Sequence, residues 1–216
     1  MLVRIPFFLT VRKTFSIIQE HEEGIARWVS HVISPHIVGI VFIAVLAMQY
    51  SADPWETIGW LGVLLPLVVI PPFLYVVWLV HQGMLEDIYM PRRETRRRPL
   101  SVMMLWLLVC LGLAQYWQAP AVVEALLMIS LVMMGVLTIV TLFWKISFHG
   151  ATISAAATVT VMMAGSWSWP IILLVPLVGW SRIRLLRHTP RQVVYGSLVG
   201  ALLALIVVHG VLLRIL

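Results

Sequence analysis

Long apolar runs separated by short polar segments dominate this sequence, and they restrict the folds open to it. A helix needs roughly 20 apolar residues to cross the hydrocarbon core of a bilayer. A chain that is 61% hydrophobic and 11% charged also lacks the polar surface of a water-soluble domain. We therefore predict an all-α integral membrane bundle with about six or seven transmembrane helices. The apolar runs lie at 36–50, 57–82, 100–117, 120–143, 150–166, 168–187 and 193–213.

The first 35 residues differ from the rest because charged side chains interrupt them. No stretch there has the length of a span, and no cleavage site follows an uninterrupted apolar core. We expect residues 1–35 to form an interfacial or cytoplasmic segment. Residues 36–216 are then expected to form the transmembrane domain.

Basic residues are distributed unevenly between the two ends of the predicted helices. If all runs span, the N-terminus and the loops 83–99, 144–149 and 181–192 share one side, with every Lys and Arg except Arg214. The positive-inside rule then puts these loops on the cytoplasmic side of an inner or plasma membrane. Because the basic residues of this +6 chain are confined to short loops, they indicate topology, and we expect no nucleic-acid partner.

Cofactor chemistry has little support in the sequence. The single cysteine, Cys110, lies inside an apolar run, where a small buried hydrophobic side chain is expected. One cysteine excludes a disulfide framework and a Cys-based metal site. We expect neither a metal nor another cofactor.

The stretch 181–192 carries the strongest chemical signal. Thr189 is predicted to be an N-cap and Pro190 the first helical residue, so a helix should begin just after His188. Its free N–H groups and positive dipole end favour an anion, and a neutral imidazole there would be a nucleophile aimed at phosphorus. Alternatively, the arginines of this stretch mark only the cytoplasmic end of a hairpin, with His188 in the interface. These arginines are Arg182, Arg184, Arg187 and Arg191.

Ser181-Arg182, followed after five residues by His188, resembles the third signature of the type-2 phosphatidic acid phosphatase (PAP2) superfamily, SR-x5-H-x3-D. This resemblance implies that His188 attacks phosphorus and that Arg182 holds the phosphate. The aspartate that orients the histidine in the family is Gln192 here. A glutamine can accept the ring N–H but cannot stabilise an imidazolium as a carboxylate does.

A second loop resembles another PAP2 signature, PSGH. Ser147-Phe148-His149 corresponds to its last three residues, with Ile146 in place of the proline and Phe148 in place of the glycine. The resemblance implies that His149 protonates the leaving oxygen, with Ser147 and the nearby helix N-terminus at the phosphate. The alternative is a histidine that anchors a helix end at the interface.

Arg98-Pro99 resembles the end of the first signature, K-x6-RP, but Pro91 stands at the lysine position. Arg92 or Arg93, together with Arg98, could hold phosphate oxygens in place of that lysine. Which arginines of 92–98 point inward is left open. Asp87 either balances these arginines or supplies the carboxylate that is missing at Gln192.

Small residues indicate how the last helices pack. The run 150–166 is too small and hydroxyl-rich for a lipid-facing wall and should pass through the middle of the bundle. Gly196, Gly200 and Ala204 favour internal packing over a dimer contact, although a homo-oligomer stays open. We expect the core to consist of 57–82 and the last three runs.

The resemblance implies a metal-independent membrane phosphatase that acts through a phosphohistidine. Its partners would be membrane lipids and a lipid phosphate substrate, with polyprenyl phosphate or diphosphate, phosphatidic acid and phosphatidylglycerol phosphate equally open. Two alternatives remain: a non-catalytic lipid-phosphate-binding or transport protein, and a lipid-linked phosphotransferase.

Overall fold

The described part of the chain is built from helices. A computed structural model describes residues 7–88, 90, 92 and 94–212, and within these ranges there is no strand. The predicted all-α class is confirmed. The helices are α1 (Phe7–Val32), α2 (Pro35–Gln49), α3 (Pro54–His81), α4 (Arg97–Tyr116), α5 (Ala121–Phe143), α6 (Phe148–Ala164), α7 (Leu174–Arg184) and α8 (Pro190–Val207).

Helix length and composition support a membrane protein. Among the described residues, 5 helical segments are long and apolar enough to cross a bilayer. The two other predicted spans are shorter α-helices: α6 has 17 residues, and α7 has 11 residues that follow a 3₁₀ segment, Ser166–Leu173. The chain is therefore a helical bundle compatible with integral membrane insertion. The 5 segments are Gln19–Gln49, Pro54–His81, Glu94–Tyr116, Ala121–Phe143 and Pro190–Gly210.

The start of α8 follows the sequence prediction. Thr189 is the N-cap, its side chain accepts a hydrogen bond from Gln192 N, and Pro190 is the first helical residue. The Gln192 side chain in turn accepts from Thr189 N, which completes a capping box. This local sequence therefore fixes where the helix begins, directly after His188.

Close contact between α6 and α8 is confirmed. Along α6, the small residues from Ala151 to Ala157 are buried except Thr152. A Cβ added to Gly196 would lie 2.6 Å from the carbonyl oxygen of Ser147, and one added to Gly200 would overlap the backbone of Ala151. The missing side chains of these glycines allow the two helix backbones to touch.

The predicted core is wrong in one respect. The main partners of α3 are α4 and α2, whereas α2 packs on α6 and α1 packs on α7. Leu46 and Ala47 of α2 share a buried cluster with Ala155 and Ala204, because a small surface on α2 fits the alanine-rich α6. Hence α1 and α2, rather than α3, pack on the last three helices.

α1 presents two different faces. Ala26, Val29 and Ser30 are buried, whereas Ile25 and Trp28 on the other side are exposed. Such a helix suits a membrane surface, so the predicted interfacial role of residues 1–35 stays a prediction with a compatible shape.

Candidate active site

Segments far apart in the sequence meet at one end of the bundle. The Asp87 carboxylate forms an ion pair with Arg187 at 3.2 Å, which joins the 83–99 loop to the 181–192 stretch. Ser147 N donates to the backbone carbonyl of Gln192 at 3.2 Å, which joins the 144–149 loop to the same stretch. The predicted meeting of the three loops is confirmed by these contacts.

A Schellman turn at the end of α7 directs His188 back toward Arg182. Arg187 N donates to Arg182 O at 3.1 Å, and Leu186 N donates to Ile183 O at 2.9 Å. Leu186 has a φ of 54°, the left-handed conformation that this turn requires and that usually falls to glycine. His188 N also donates to Arg182 O, at 3.3 Å, so the histidine stays close to the last turn of α7.

Gln192 contacts the imidazole of His188. Its Oε1 lies 3.2 Å from His188 Nδ1 and also accepts from Thr189 N at 3.2 Å. Since a backbone N–H only donates, the Gln192 atom at this position must be the oxygen and not the amide nitrogen. The same oxygen then requires a hydrogen on His188 Nδ1, which leaves the lone pair of the neutral ring on Nε2.

His188 is held in its neutral form. The side chain is only 8% exposed. Burial, followed by the charges of Arg96, Arg182 and Lys145, lowers the pKa of His188 to about 3, against a raising contribution from the Gln192 hydrogen bond. At neutral pH the ring is therefore uncharged, as a nucleophile must be.

Arg182 is also buried, with 5% exposure. Its Nη1 donates to the hydroxyl of Ser30 in α1 at 2.5 Å. His149 Nε2 lies 3.3 Å from the backbone oxygen of the same serine. His149 and His188 are close enough to interact electrostatically, so both imidazoles of the predicted site lie in one region.

Within the 92–98 segment, Arg96 lies inward. It is 8% exposed, its Nε donates to Met90 O at 2.9 Å, and its charge acts on His188. Sequence reasoning did not select Arg96, because consecutive arginines carry no periodicity that separates an inward from an outward side chain.

The arginines of this segment that were predicted to bind phosphate are not the buried one. Arg98 is exposed, and Arg92 forms an ion pair with Glu86 at 2.8 Å in which both side chains are exposed. Arg93 lies outside the described residues. The phosphate-binding roles of these arginines stay predictions, whereas Arg96 joins Arg182 as a buried cation near His188.

Lys145 is a further basic residue that sequence reasoning assigned only to topology. It is half-buried in the 144–147 loop. Burial, followed by the charges of Arg96, Arg182 and Arg187, lowers the pKa of Lys145. Positive groups that lower each other's pKa make a site where a bound anion is favourable. Its position just before Ser147-Phe148-His149 was the available sequence signal.

Ser147 is buried and has structural partners for both of its polar groups. Its hydroxyl accepts from Gly150 N at 3.2 Å and so caps α6. Its backbone N–H bonds to Gln192 O. These contacts tie the start of α6 to α8, and the phosphate-binding role of Ser147 stays a prediction.

Asp87 forms its ion pair with the residue before His188. The carboxylate contacts Arg187, while the His188 ring is contacted by Gln192. Asp87 therefore pairs with an arginine of the 181–192 stretch, and its predicted balancing of the arginines of 92–98 stays a prediction. Its suggested orienting role toward His188 stays a prediction.

The described residues contain no group of three or more His, Cys, Asp or Glu side chains that could hold a metal ion. The side chains of the candidate site suit anion chemistry. Arginines and a lysine can bind an anion, and two imidazoles can take part in covalent and proton-transfer steps.

Fold and site together define a helical bundle, compatible with membrane insertion, with a buried cationic site that contains two histidines. The PAP2 superfamily model matches residues 141–215. Residues 141–215 are thus similar to the PAP2 superfamily, as the sequence signatures predicted, and the match suggests phosphatase-type activity on phosphate esters. The matched residues include both histidine-bearing loops, whereas α1 to α4 lie outside the match. No curated protein and no solved structure matches the chain.

Proposed function

We propose that this protein is a metal-independent membrane phosphatase that hydrolyses a lipid phosphate through a phosphohistidine intermediate. The observation that carries the proposal is the state of His188. The ring is buried, its Nδ1 lies 3.2 Å from Gln192 Oε1, and burial with the nearby charges of Arg96 and Arg182 lowers its pKa so that the neutral form is favoured. A nucleophile beside fixed positive charge is what attack on a phosphoryl group needs.

The proposed reaction has two steps. Arg182, Arg96 and Lys145 stabilise the negative phosphoryl oxygens while the lone pair of His188 Nε2 attacks phosphorus in line with the leaving oxygen. His149 takes up a proton when the phosphate dianion binds beside it and then gives this proton to the leaving oxygen, so a lipid alcohol leaves instead of an alkoxide. Water then attacks the phosphohistidine while His149 accepts a proton from it, and the P–N bond breaks to release inorganic phosphate and neutral His188.

Gln192 is compatible with turnover because its oxygen faces the ring. In a serine protease triad, replacement of the aspartate by asparagine lowers kcat by about 10⁴, because the histidine takes the wrong tautomer. Here Thr189 N fixes the Gln192 amide so that its oxygen faces Nδ1, and the required tautomer is kept. The expected loss is limited to the weaker stabilisation of positive charge on the ring.

The substrate class follows from the position of the site. It lies at one end of a bundle of apolar helices, so an amphiphile could present its head group while its chains stay in the bilayer. Polyprenyl phosphate or diphosphate, phosphatidic acid and phosphatidylglycerol phosphate are the proposed candidates. With the positive-inside rule, the site faces the cytoplasm of an inner or plasma membrane.

Phosphate release from a panel of these lipids, measured on purified protein in detergent, tests the proposal. We expect release by the wild type and its loss in His188→Ala. His209→Ala is a matched control, because His209 is exposed and bonds only to Leu205 O of its own helix among the contacts described. A His188→Ala variant that is as active as the control would overturn the mechanism.

A non-catalytic lipid-phosphate-binding or transport role is the second candidate, and Gln192 in place of a carboxylate favours it. The same site would then bind vanadate, an analogue of the phosphoryl transition state, without phosphate release from any lipid of the panel. Transfer of phosphate to an alcohol in preference to water would instead indicate the phosphotransferase.

A further inference from the structure

Ser30 of α1 contacts two groups of the candidate active site at once. Its hydroxyl accepts from Arg182 Nη1 at 2.5 Å, and its backbone oxygen lies 3.3 Å from His149 Nε2. The serine is only 4% exposed. α1 therefore covers the arginine and the histidine that come from the matched PAP2 region, although α1 itself lies outside that region.

Ser30 presents two oxygen atoms to donors that the proposed reaction assigns to phosphate. Arg182 would hold a phosphoryl oxygen, and His149 would give a proton to the leaving oxygen. We propose that α1 is a gate over the active site, and that Ser30 occupies the place of the phosphoryl group when the gate is closed. This inference rests on the proposed function, because it assumes that Arg182 and His149 receive a phosphate.

Further contacts keep α1 against α7. Glu22 forms an ion pair with Arg184 at 3.1 Å. Ala26, Val29 and Ser30 follow at intervals of a helical turn and are all buried. The closed position is thus held by one face of α1, and the contacts of Ser30 with Arg182 and His149 connect it to the active site.

The connection between α1 and α2 allows α1 to move by itself. Only Ile33 and Ser34 separate the two helices, and Pro35 begins α2. The Ser34 hydroxyl caps α2 by accepting from Ile37 N at 3.3 Å, so α2 has its own N-terminal capping bond. A short segment before a proline can change its dihedral angles while both helices stay intact.

A phosphate dianion would compete with Ser30 for Arg182. Guanidinium binds a charged phosphoryl oxygen more strongly than a neutral hydroxyl, and often at two oxygens together. The gate therefore stays closed in the absence of a phosphorylated head group and opens when one arrives. Such a gate would keep water and unselected anions from the buried cationic site between turnovers.

Thiol labelling of Ala26→Cys measures the gate without any turnover. Residue 26 is fully buried under closed α1, so a water-soluble maleimide should react slowly. Adding Ser30→Ala should speed labelling by about tenfold, since a hydrogen bond to a charged group is lost. The wild-type chain gives the background, because its single cysteine, Cys110, is buried in the core.

Two matched variants complete the test. Ser130→Ala removes a hydroxyl that bonds to Leu126 O of its own helix, and it should leave the labelling rate at position 26 unchanged. Ser30→Thr keeps the hydroxyl and should label as slowly as the parent. Equal labelling rates for Ser30→Ala and Ser130→Ala would overturn the gate, even if the protein is a phosphatase.

Turnover then separates the gate from the proposed function. With an active lipid substrate, Ser30→Ala should lower KM or raise kcat/KM, because phosphate no longer displaces a hydroxyl from Arg182. A fall in kcat/KM would instead show that Ser30 positions Arg182 for catalysis, and it would overturn the gate. If no variant and no wild-type protein releases phosphate, the proposed function fails while the labelling result still stands.

Discussion

Ser147 and Gln192 are joined backbone to backbone, by a hydrogen bond of 3.2 Å from Ser147 N to Gln192 O. Ser147 precedes His149 by two residues, and the Gln192 side chain contacts His188. The two histidines of the candidate site are therefore fixed relative to one another by backbone contacts between the ends of α6 and α8. A substitution at residue 192 can therefore change the side-chain chemistry while the backbone geometry is kept.

Gln192→Glu should keep the geometry and raise phosphate release, by up to about tenfold, because a carboxylate stabilises the positive charge that develops on His188. Gln192→Asp should leave release intact or raise it. Initial rates on the preferred lipid measure the effect. Gln115→Glu, an exposed residue near the end of α4, makes the same change of charge and should have no effect. Loss of activity in Gln192→Glu would contradict the orienting role.

The pKa of His188 should lie far below its ordinary value, so the ring should titrate only at acidic pH. Burial, Arg96, Arg182 and Lys145 lower its pKa to about 3. In an unfolded chain the ring would take up a proton near its ordinary pKa of 6.5. Between pH 3 and pH 6.5 the unfolded state thus binds more protons than the folded state. The contribution of His188 to the free energy of unfolding is therefore complete above about pH 6.5 and is lost as the pH falls toward 3.

For activity, His188 should stay a neutral nucleophile in wild-type protein down to about pH 5, well above its lowered pKa. In Gln192→Glu the added carboxylate should raise that pKa by about 1 unit or more. NMR titration of ¹⁵N-labelled histidine, assigned with His188→Ala, measures both values. A His188 that titrates near pH 6.5 in the wild type would show that the site is wetter or less positive than described.

Arg96 should be needed for activity, whereas its neighbour Arg97 should not. Arg96 is buried and acts on His188, while Arg97 is exposed. Arg96→Gln should lower kcat/KM by about 10², the scale for loss of one fixed group that stabilises transition-state charge. Arg97→Gln makes the identical change one residue away and should leave kcat/KM unaltered. Equal effects of the two substitutions would remove Arg96 from the proposed phosphate site.

Two glycine substitutions should change stability in opposite directions. In Gly200→Ala the added methyl group meets the backbone of Ala151, which cannot move away easily, so a loss of about 1–3 kcal/mol is expected. Gly112→Ala meets nothing within 4 Å inside α4 and should gain about 0.5–1 kcal/mol. Thermal unfolding in detergent measures both. A neutral Gly200→Ala would mean that α6 and α8 can separate without cost.

Much of the fold could be predicted because the signals are local. Apolar runs predicted the helices, and Thr189 and Pro190 predicted where α8 begins. The third PAP2 signature was visible because its residues lie close together in the sequence, between Ser181 and Gln192. Arg96 was missed because the run of adjacent arginines is equally basic throughout, and only packing separates the buried one from the exposed ones.

The sequence alone determined that this chain is a helical bundle with long apolar helices and that a helix begins just after His188, because hydropathy and capping act over a few neighbouring residues. Tertiary structure decided which distant groups join them: Arg96, Lys145 and, from α1, Ser30. It also decided that α1 and α2 pack on the last three helices, where the sequence had predicted α3. Such choices depend on which helix faces fit together, and surface complementarity between helices cannot be read from residue order.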